Sequence, residues 1–314
     1  MTLDVAVVGA PFLDLTFEGL PAMPRIGEET VARALHVAPG GTGMQALGAA
    51  RLGLDTGLVA PIPCDGAGAW LRTVLAGEGV QVVCGKTDEN LDPSNAPDPG
   101  GGVPVTALLS TPQGVAMATA LAGAEPTRED VMGANARAIV ASLGRLRLAP
   151  DGPALYAVTG TLELESVTGS VMERLASARA LVVNAAEATA LTGQGDPESA
   201  ARTLARRVPT AVVTVGGDGA VAAHEDTLAR APAPQVEVVD ATGAGDLFVA
   251  AYVWADLAGA SLPDRLRWAS LYASLSVRAP TAYAGAVGRR GLMAEGTARG
   301  LALPGRPDRP HGPL

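Results

Sequence analysis

Val238–Ala251 reads VVDATGAGDLFVAA, with two glycines, an alanine and one carboxylate, Asp246, packed between an apolar run and a second, longer one. Val236–Val239 predict a strand, Asp240–Gly245 a tight loop, and Leu247–Leu257 a helix. That helix has almost no polar face, so it should run through the interior. Glycine at 243 and 245 removes the Cβ atoms that would shield successive backbone N–H groups. The amides of Gly243, Ala244 and Gly245 then converge at the positive end of the helix as a preformed anion site. Asp246, in the first turn, gains from the same dipole. That accounts for an aspartate but not for the small residues that leave the amides bare.

Phosphoryl transfer needs these parts. Negative charge spreads over the oxygens of the moving group, so fixed donors stabilise it while a carboxylate takes the proton of the attacking hydroxyl. An aspartate of ordinary pKa, about 3.9, would be ionised for that task at neutral pH.

Working outward, short β-branched runs alternate with alanine- and leucine-rich stretches: DVAVVGA (4–10), MQALGAARLG (44–53), TGLVAPI (56–62), GAWLRTVLAGEGV (68–80), ARALVVN (178–184) and PTAVVTVGG (209–217). Such alternation marks βαβ units, and ligands of open α/β sheets sit at the carboxyl ends of the strands. The expected fold is a three-layer αβα domain, residues 1–304, with a central, mostly parallel sheet and a loosely attached tail over 305–314. Thr30–Gly41 and Val103–Ala120 lack helical periodicity, and the second predicts two strands joined at Thr111–Gly114. Together they suggest a small β-sheet lid over about 11–38 and 103–121, entered through a loop at Glu89–Gly102. Leu155–Asn184 is short for a full βα unit.

With 32 acidic against 23 basic residues, the chain carries a formal charge of -9, which argues against nucleic-acid or membrane-surface binding. Cys64 and Cys84 are too far apart for a C-x-x-C pair and read as reduced thiols of a cytoplasmic protein. MTLDVAVVGAP reads as a first strand and not as a signal peptide, and no run is long enough to span a bilayer.

Two phosphate-loop patterns fail or weaken on inspection. CGKT (84–87) lacks the glycine a P-loop requires, because position 80 is Val80. Gly41–Ala46 satisfies G-x-G-x-x-A with Asp65 at a ribose-contacting distance in sequence, but Pro39 precedes it and the natural first strand lies far upstream. A dinucleotide-binding protein is the outlying alternative.

DATGAGD (240–246), followed by Leu247-Phe248 and a small-residue helix, resembles the C-terminal signature of the ribokinase-like (PfkB) carbohydrate kinases. The resemblance implies ATP-dependent transfer of a phosphate to a sugar hydroxyl, with Asp246 as base and Gly243, Ala244 and Gly245 as anion hole. It extends along most of the chain. VVGAPFLDL puts Asp14 where the family binds sugar hydroxyls, PRIGEE (24–29) resembles the approach to its lid, and CDGAG (64–68) resembles its G-x-D-x-x-G segment. NAAEATALTG (184–193) is similar to the motif in which an asparagine and a glutamate, here Asn184 and Glu187, organise Mg2+. The same residues also make an ordinary helix cap. TVGGDGAV (214–221) resembles the nucleotide-contacting segment, so Thr214, Gly216 and Gly219 carry over, although these glycines also suit a hairpin turn. By analogy alone, a monovalent cation such as K+ sits near Asp240 and Thr242, and the chain dimerises through its lid.

The departures bear on the acceptor. Gly40-Gly41-Thr42-Gly43-Met44-Gln45 is one residue shorter than the family's sugar-binding signature, so Met44 stands where an asparagine is expected, and either Gln45 substitutes for it or the polar contact is gone. Ser270 stands where many members have an asparagine beside the adenine. The alternatives kept are a nucleoside kinase of the same fold and a non-catalytic ligand-binding homologue.

Overall fold

The computed structural model describes residues 2–64, 66–83, 102–160, 169–302 and 304. Asp65, the Cys84–Thr87 stretch, most of the expected loop at 89–102 and the tail at 305–314 lie outside the described residues.

The strands are β1 Leu3–Val8, β2 Pro11–Glu18, β3 Ala34–Gly41, β4 Thr56–Val59, β5 Gln81–Val83, β6 Val105–Thr111, β7 Gly114–Ala120, β8 Ala136–Ser142, β9 Ala154–Val158, β10 Ala180–Asn184, β11 Thr210–Thr214, β12 Ala220–His224 and β13 Thr227–Ala231. Nine of them form one sheet in the order β13-β12-β11-β10-β9-β8-β1-β4-β5. It is parallel from β11 to β5 and antiparallel only at the β11-β12-β13 edge. Helices cover both faces, and the alternation of side chains shows it: Val5 and Val7 of β1 enter one core with Leu47, Leu247, Tyr252 and Trp254, while Ala6 and Val8 enter the other with Val131, Leu175 and Leu204. Strands buried on both faces need continuous apolar runs, which is how β1, β10 and β11 read.

The small sheet has the order β3-β2-β6-β7. Its strand β3 runs to Gly41, three residues beyond the expected edge of the lid, so the double glycine is itself part of the small sheet. β2 starts directly after β1, and β6-β7 lead into β8, the neighbour of β1. The chain leaves β1 on one side toward β4 and β5 and returns on the other at β8. The lid therefore roots at the point where strand order reverses, the usual ligand crevice of such sheets.

Two expectations fail. Val236–Val239 form no strand: Val238 and Val239 are exposed, and only backbone bonds from the 239 and 240 amides to Val277 O tie the segment down. Its β-branched residues mark an extended connection with no neighbouring strand to pair. Leu155–Asn184 is a complete crossover, β9 to parallel β10 through the helix Gly169–Leu175.

The helix Ala244–Leu257 buries every residue from Leu247 to Asp256. Asp256, at its far end, is held by Arg179 (Nη2 to Oδ1, 2.9 Å), Arg265 (2.8 Å) and the Tyr156 hydroxyl.

Candidate active site

Gly243 caps the helix Ala244–Leu257 with φ 79°, and a Cβ there would lie 2.8 Å from Ala282 Cβ, so both backbone and space demand glycine. The helix begins at Ala244, inside the stretch expected to be loop; the Ala244 amide donates to Ala241 O at 3.3 Å, and the Gly245 amide lies in the first turn. Thr242 N donates to Asp240 Oδ1 at 2.9 Å, closing an Asx-type turn that fixes the loop. A second helix, Thr42–Arg51, aims its own N-terminus at the same place, and Gln45 Nε2 donates to Asp246 Oδ1 at 2.9 Å. The helices approach through Gly48, whose Cβ would stand 2.6 Å from Leu247 Cδ2 and 3.0 Å from Ala250 Cβ.

Asp246 is half-buried, and its pKa is pushed up to about 7, first by burial and then by the charges of Asp14 and Glu187, against the lowering effect of the Gln45 bond. The ordinary aspartate expected from sequence is thus corrected: near pH 7 this carboxyl exchanges protons. Asp14, on β2, is likewise pushed up to about 6 by burial and by Asp240, opposed by a hydrogen bond from Thr106. Gly40 makes room for it, since a Cβ at 40 would fall 2.1 Å from Asp14 Oδ2. Thr106 escaped the sequence reading. Its signal was the alternation of β6, which sets Thr106 opposite Asp14 in the parallel pair.

Met44 is buried and lines, with Asp14, Gly40, Asp240, Thr242 and Thr281, a cavity of about 20 Å3, the size of one water. The neighbouring Gln45 sets its head group on Asp246. Arg51, also missed, donates to the carbonyls of Tyr283 and Ala286 at 2.7 Å and pairs with Glu78, locking the Gln45 helix to the segment that backs Gly243.

At the carboxyl ends of β10 and β11, Asn184 and Thr214 are register partners, and Gly216 to Gly219 form the turn into β12. Asn184 and Glu187 make a reciprocal capping box: Asn184 Oδ1 accepts from Glu187 N, and Glu187 Oε2 from Asn184 N, each at 2.9 Å. The cap coexists with a charge that Asp246 feels. Ser270 is buried in the helix Leu262–Ser276, its Oγ without a partner among the described residues. No group of three or more His, Cys, Asp or Glu suited to a metal occurs among the described residues. Nor is any described helix long and apolar enough to cross a membrane.

The sequence profile described as pfkB family carbohydrate kinase matches residues 161–287. A ribokinase of Lactococcus lactis is 36% identical over 67 residues, covering 21% of this chain and 22% of that protein. A 1-phosphofructokinase of Haloferax volcanii is 38% identical over 97 residues, covering 29% and 32%. The chain thus matches about a fifth to a third of the length of these curated relatives. In three dimensions the likeness is nearly complete: a putative ribokinase from Agrobacterium tumefaciens superposes with a TM-score of 0.76 over 96% of this chain and all of its own, at 19% identity. At that identity the superposition speaks for the fold, and the signature from Asp240 to Asp246 falls inside the matched stretch. Residues 161–287 thus match the pfkB family carbohydrate kinase profile, and the chain as a whole has the ribokinase-like fold.

Proposed function

We propose that this protein is an ATP-dependent phosphotransferase that moves the γ-phosphate of ATP to a primary hydroxyl of a sugar or sugar-like small molecule. The observation that carries the reading is Asp246: a carboxyl with its pKa pushed up to about 7, in the first turn of a buried helix that starts at a glycine cap with no side-chain capping bond. Asp246 accepts the acceptor's proton, and the amides of Gly243, Ala244 and Gly245 face the charge that develops on the moving group. Asp14, Gly40, Gly41, Met44 and Gln45 shape the acceptor side under the lid. Thr214, Gly216 and Gly219, with Asn184, hold the nucleotide at the strand ends.

Asp14, Glu187 and Asp246 concentrate negative charge where a triphosphate would lie, which calls for a counter-cation. Mg2+ commonly uses one or two carboxylates plus phosphate oxygens and waters, so Asn184 and Glu187 suffice as its protein side without a larger cluster. Bound there, the ion would neutralise and orient the phosphates. Asp240 and Thr242 are the candidates for a monovalent cation. The lid supports a homodimer: by register, Leu13, Leu15, Phe17, Leu35, Val37 and Leu109 share the face opposite Asp14, and Leu35 and Val37 are exposed. The exposed, unpaired Cys64 thiol fits a cytoplasmic protein.

A nucleoside acceptor is the second reading, favoured by the apolar wall of Pro39, Met44 and Ala282 beside Asp14. ADP formation measured with MgATP against D-ribose, D-fructose, adenosine and pseudouridine, with and without K+, separates the two. A sugar-only response removes the nucleoside; no response above the water rate removes the kinase.

A further inference from the structure

The proposed reaction leaves half of Gln45 unexplained. Nε2 holds one oxygen of Asp246, so the other oxygen is left to receive a proton. Oε1, the opposite corner of the same carboxamide, is buried and has no hydrogen-bond partner among the described residues. The residue as a whole is only 7% exposed. A buried acceptor without a donor is destabilising, and a methionine or leucine would fill the same space without that cost, so the orphan calls for a donor from outside the chain. The amide orientation is the one an ionised Asp246 demands, because the reverse would set acceptor against acceptor.

We propose that Gln45 is the positioning residue for Asp246 and a specificity residue for the acceptor, its Nε2 fixing the base while its Oε1 accepts a hydrogen bond from a second acceptor hydroxyl close to the one phosphorylated. This rests on the phosphotransferase reading above. The two ends of one carboxamide share a single carbon, so the two hydroxyls must be separated by few bonds. The acceptor is therefore a 1,2- or 1,3-diol within a polyol, and an isolated primary alcohol is a poor substrate. In the step itself the acceptor O–H bond breaks and its proton goes to Asp246 Oδ2. The acceptor oxygen bonds to the γ-phosphorus as the bond from that phosphorus to the bridging oxygen of ADP breaks. The second hydroxyl keeps its proton and only orients the first.

The charged groups facing Asp246 are Asp14, from lid strand β2, and Glu187, from the helix Ala185–Thr192; both disfavour its ionised form, and Gln45 favours it. Removing the amide must therefore shift proton release to higher pH. A 13C titration of the Asp246 carboxyl, assigned with Asp246→Asn, reads this without any acceptor. In Gln45→Met, and in Gln45→Asn as a second variant that keeps an amide but draws it back, the titration should move up by about half a unit or more. An unmoved titration in either folded variant overturns the positioning role. For the acceptor, whichever of D-ribose, D-fructose and adenosine supports ADP formation is paired with its deoxy analogue lacking the nearby hydroxyl. The native protein should lose about ten- to a hundredfold in kcat/KM on the analogue, and Gln45→Met should treat both alike. Equal use of the two compounds by the native protein overturns the specificity role and leaves a water as the partner of Oε1. If no panel compound is phosphorylated, the kinase reading and the specificity role fall together, while the titration still decides the positioning role.

Discussion

Asp246 and Asp256 occupy opposite ends of one buried helix and are treated in opposite ways. Asp256 has its side chain almost wholly buried and meets two guanidiniums and a phenol. Asp246 meets one neutral amide and the fields of two further carboxylates. The helix dipole sharpens the contrast, since it favours an anion at the first turn and opposes one at the last. Asp256, on the unfavourable side, is paired with the guanidiniums of Arg179 and Arg265. Asp246, on the favourable side, has its charge made uncomfortable by its neighbours. A carboxylate bound by two guanidiniums ties elements together and serves structure; Asp246, balanced between a donor and other anions, has its pKa pushed up to about 7, where a carboxyl can serve as a base.

Removing the base should break the comparison most severely. Asp246→Asn keeps shape and the helix start but cannot take a proton, so kcat should fall by about 10²–10⁴-fold, with ATP binding, measured by calorimetry, largely retained. Normal turnover in this variant would end the assignment. In the native protein kcat/KM should fall below pH 7, tenfold per unit at the limit, as Asp246 becomes protonated. The stability sign is the reverse of the usual carboxylate. With the folded pKa near 7 and the unfolded value near 3.8, the folded state binds the extra proton between them, so this group lowers stability as pH rises through that window. Asp246→Asn should accordingly gain stability relative to the native protein at pH 8 and gain little at pH 4, as read by urea denaturation.

Asp256→Ala tests the other end. Leaving two guanidiniums without their buried partner should cost about 3–5 kcal/mol, because breaking a buried ion pair strands the remaining charges. Arg179, whose side chain is 52% exposed, can reach water and should hold the loss to the lower part of that range. Turnover per folded molecule should stay near native. A collapse of kcat in protein that remains folded would show that the far end tunes the base.

The middle of the helix offers a smaller effect. Gly48→Val would push against Leu247 and Ala250, and overpacking of this kind costs about 1–3 kcal/mol. It also pries Gln45 away from Asp246 without altering a charge, so the acidic limb of the pH profile should move to higher pH. A stability loss with an unmoved limb would mean the contact at Gly48 only packs.

Much of this was legible in the sequence because the signals were local. The glycines around Ala244, the apolar run after Asp246, the continuous apolar runs of β1, β10 and β11, and the capping spacing of Asn184 and Glu187 each lie within a few neighbouring residues. What stayed hidden was set by distant parts. The extended run Val236–Val239 has strand composition but no strand beside it. Asp246 reads as an ordinary aspartate until Gln45, Asp14 and Glu187 arrive from three other elements. Asp256 looks like a polar blemish in a greasy helix, and only the fold brings Arg179 and Arg265 to it. Gln45 stood out in the sequence by position alone, but its contact with Asp246 depends on the packing of two helices through Gly48.

The smallest effect belongs to Asn184, where the observed cap coincides with the proposed cation site. Asn184→Ala removes the acceptor for the Glu187 amide and should cost about 1 kcal/mol, the usual value of an N-cap. The same loss would follow if Asn184 were a cap and nothing more. Asn184→Asp separates the roles, because aspartate caps as well as asparagine and its charge suits a helix start. Stability should then stay within a few tenths of a kcal/mol of native. An added carboxylate beside Glu187 should nevertheless lower the Mg2+ concentration needed for half-maximal turnover and push the Asp246 limb still higher in the pH profile. Unchanged Mg2+ dependence in both Asn184 variants would confine Asn184 to the cap and leave Glu187 as the cation's protein ligand.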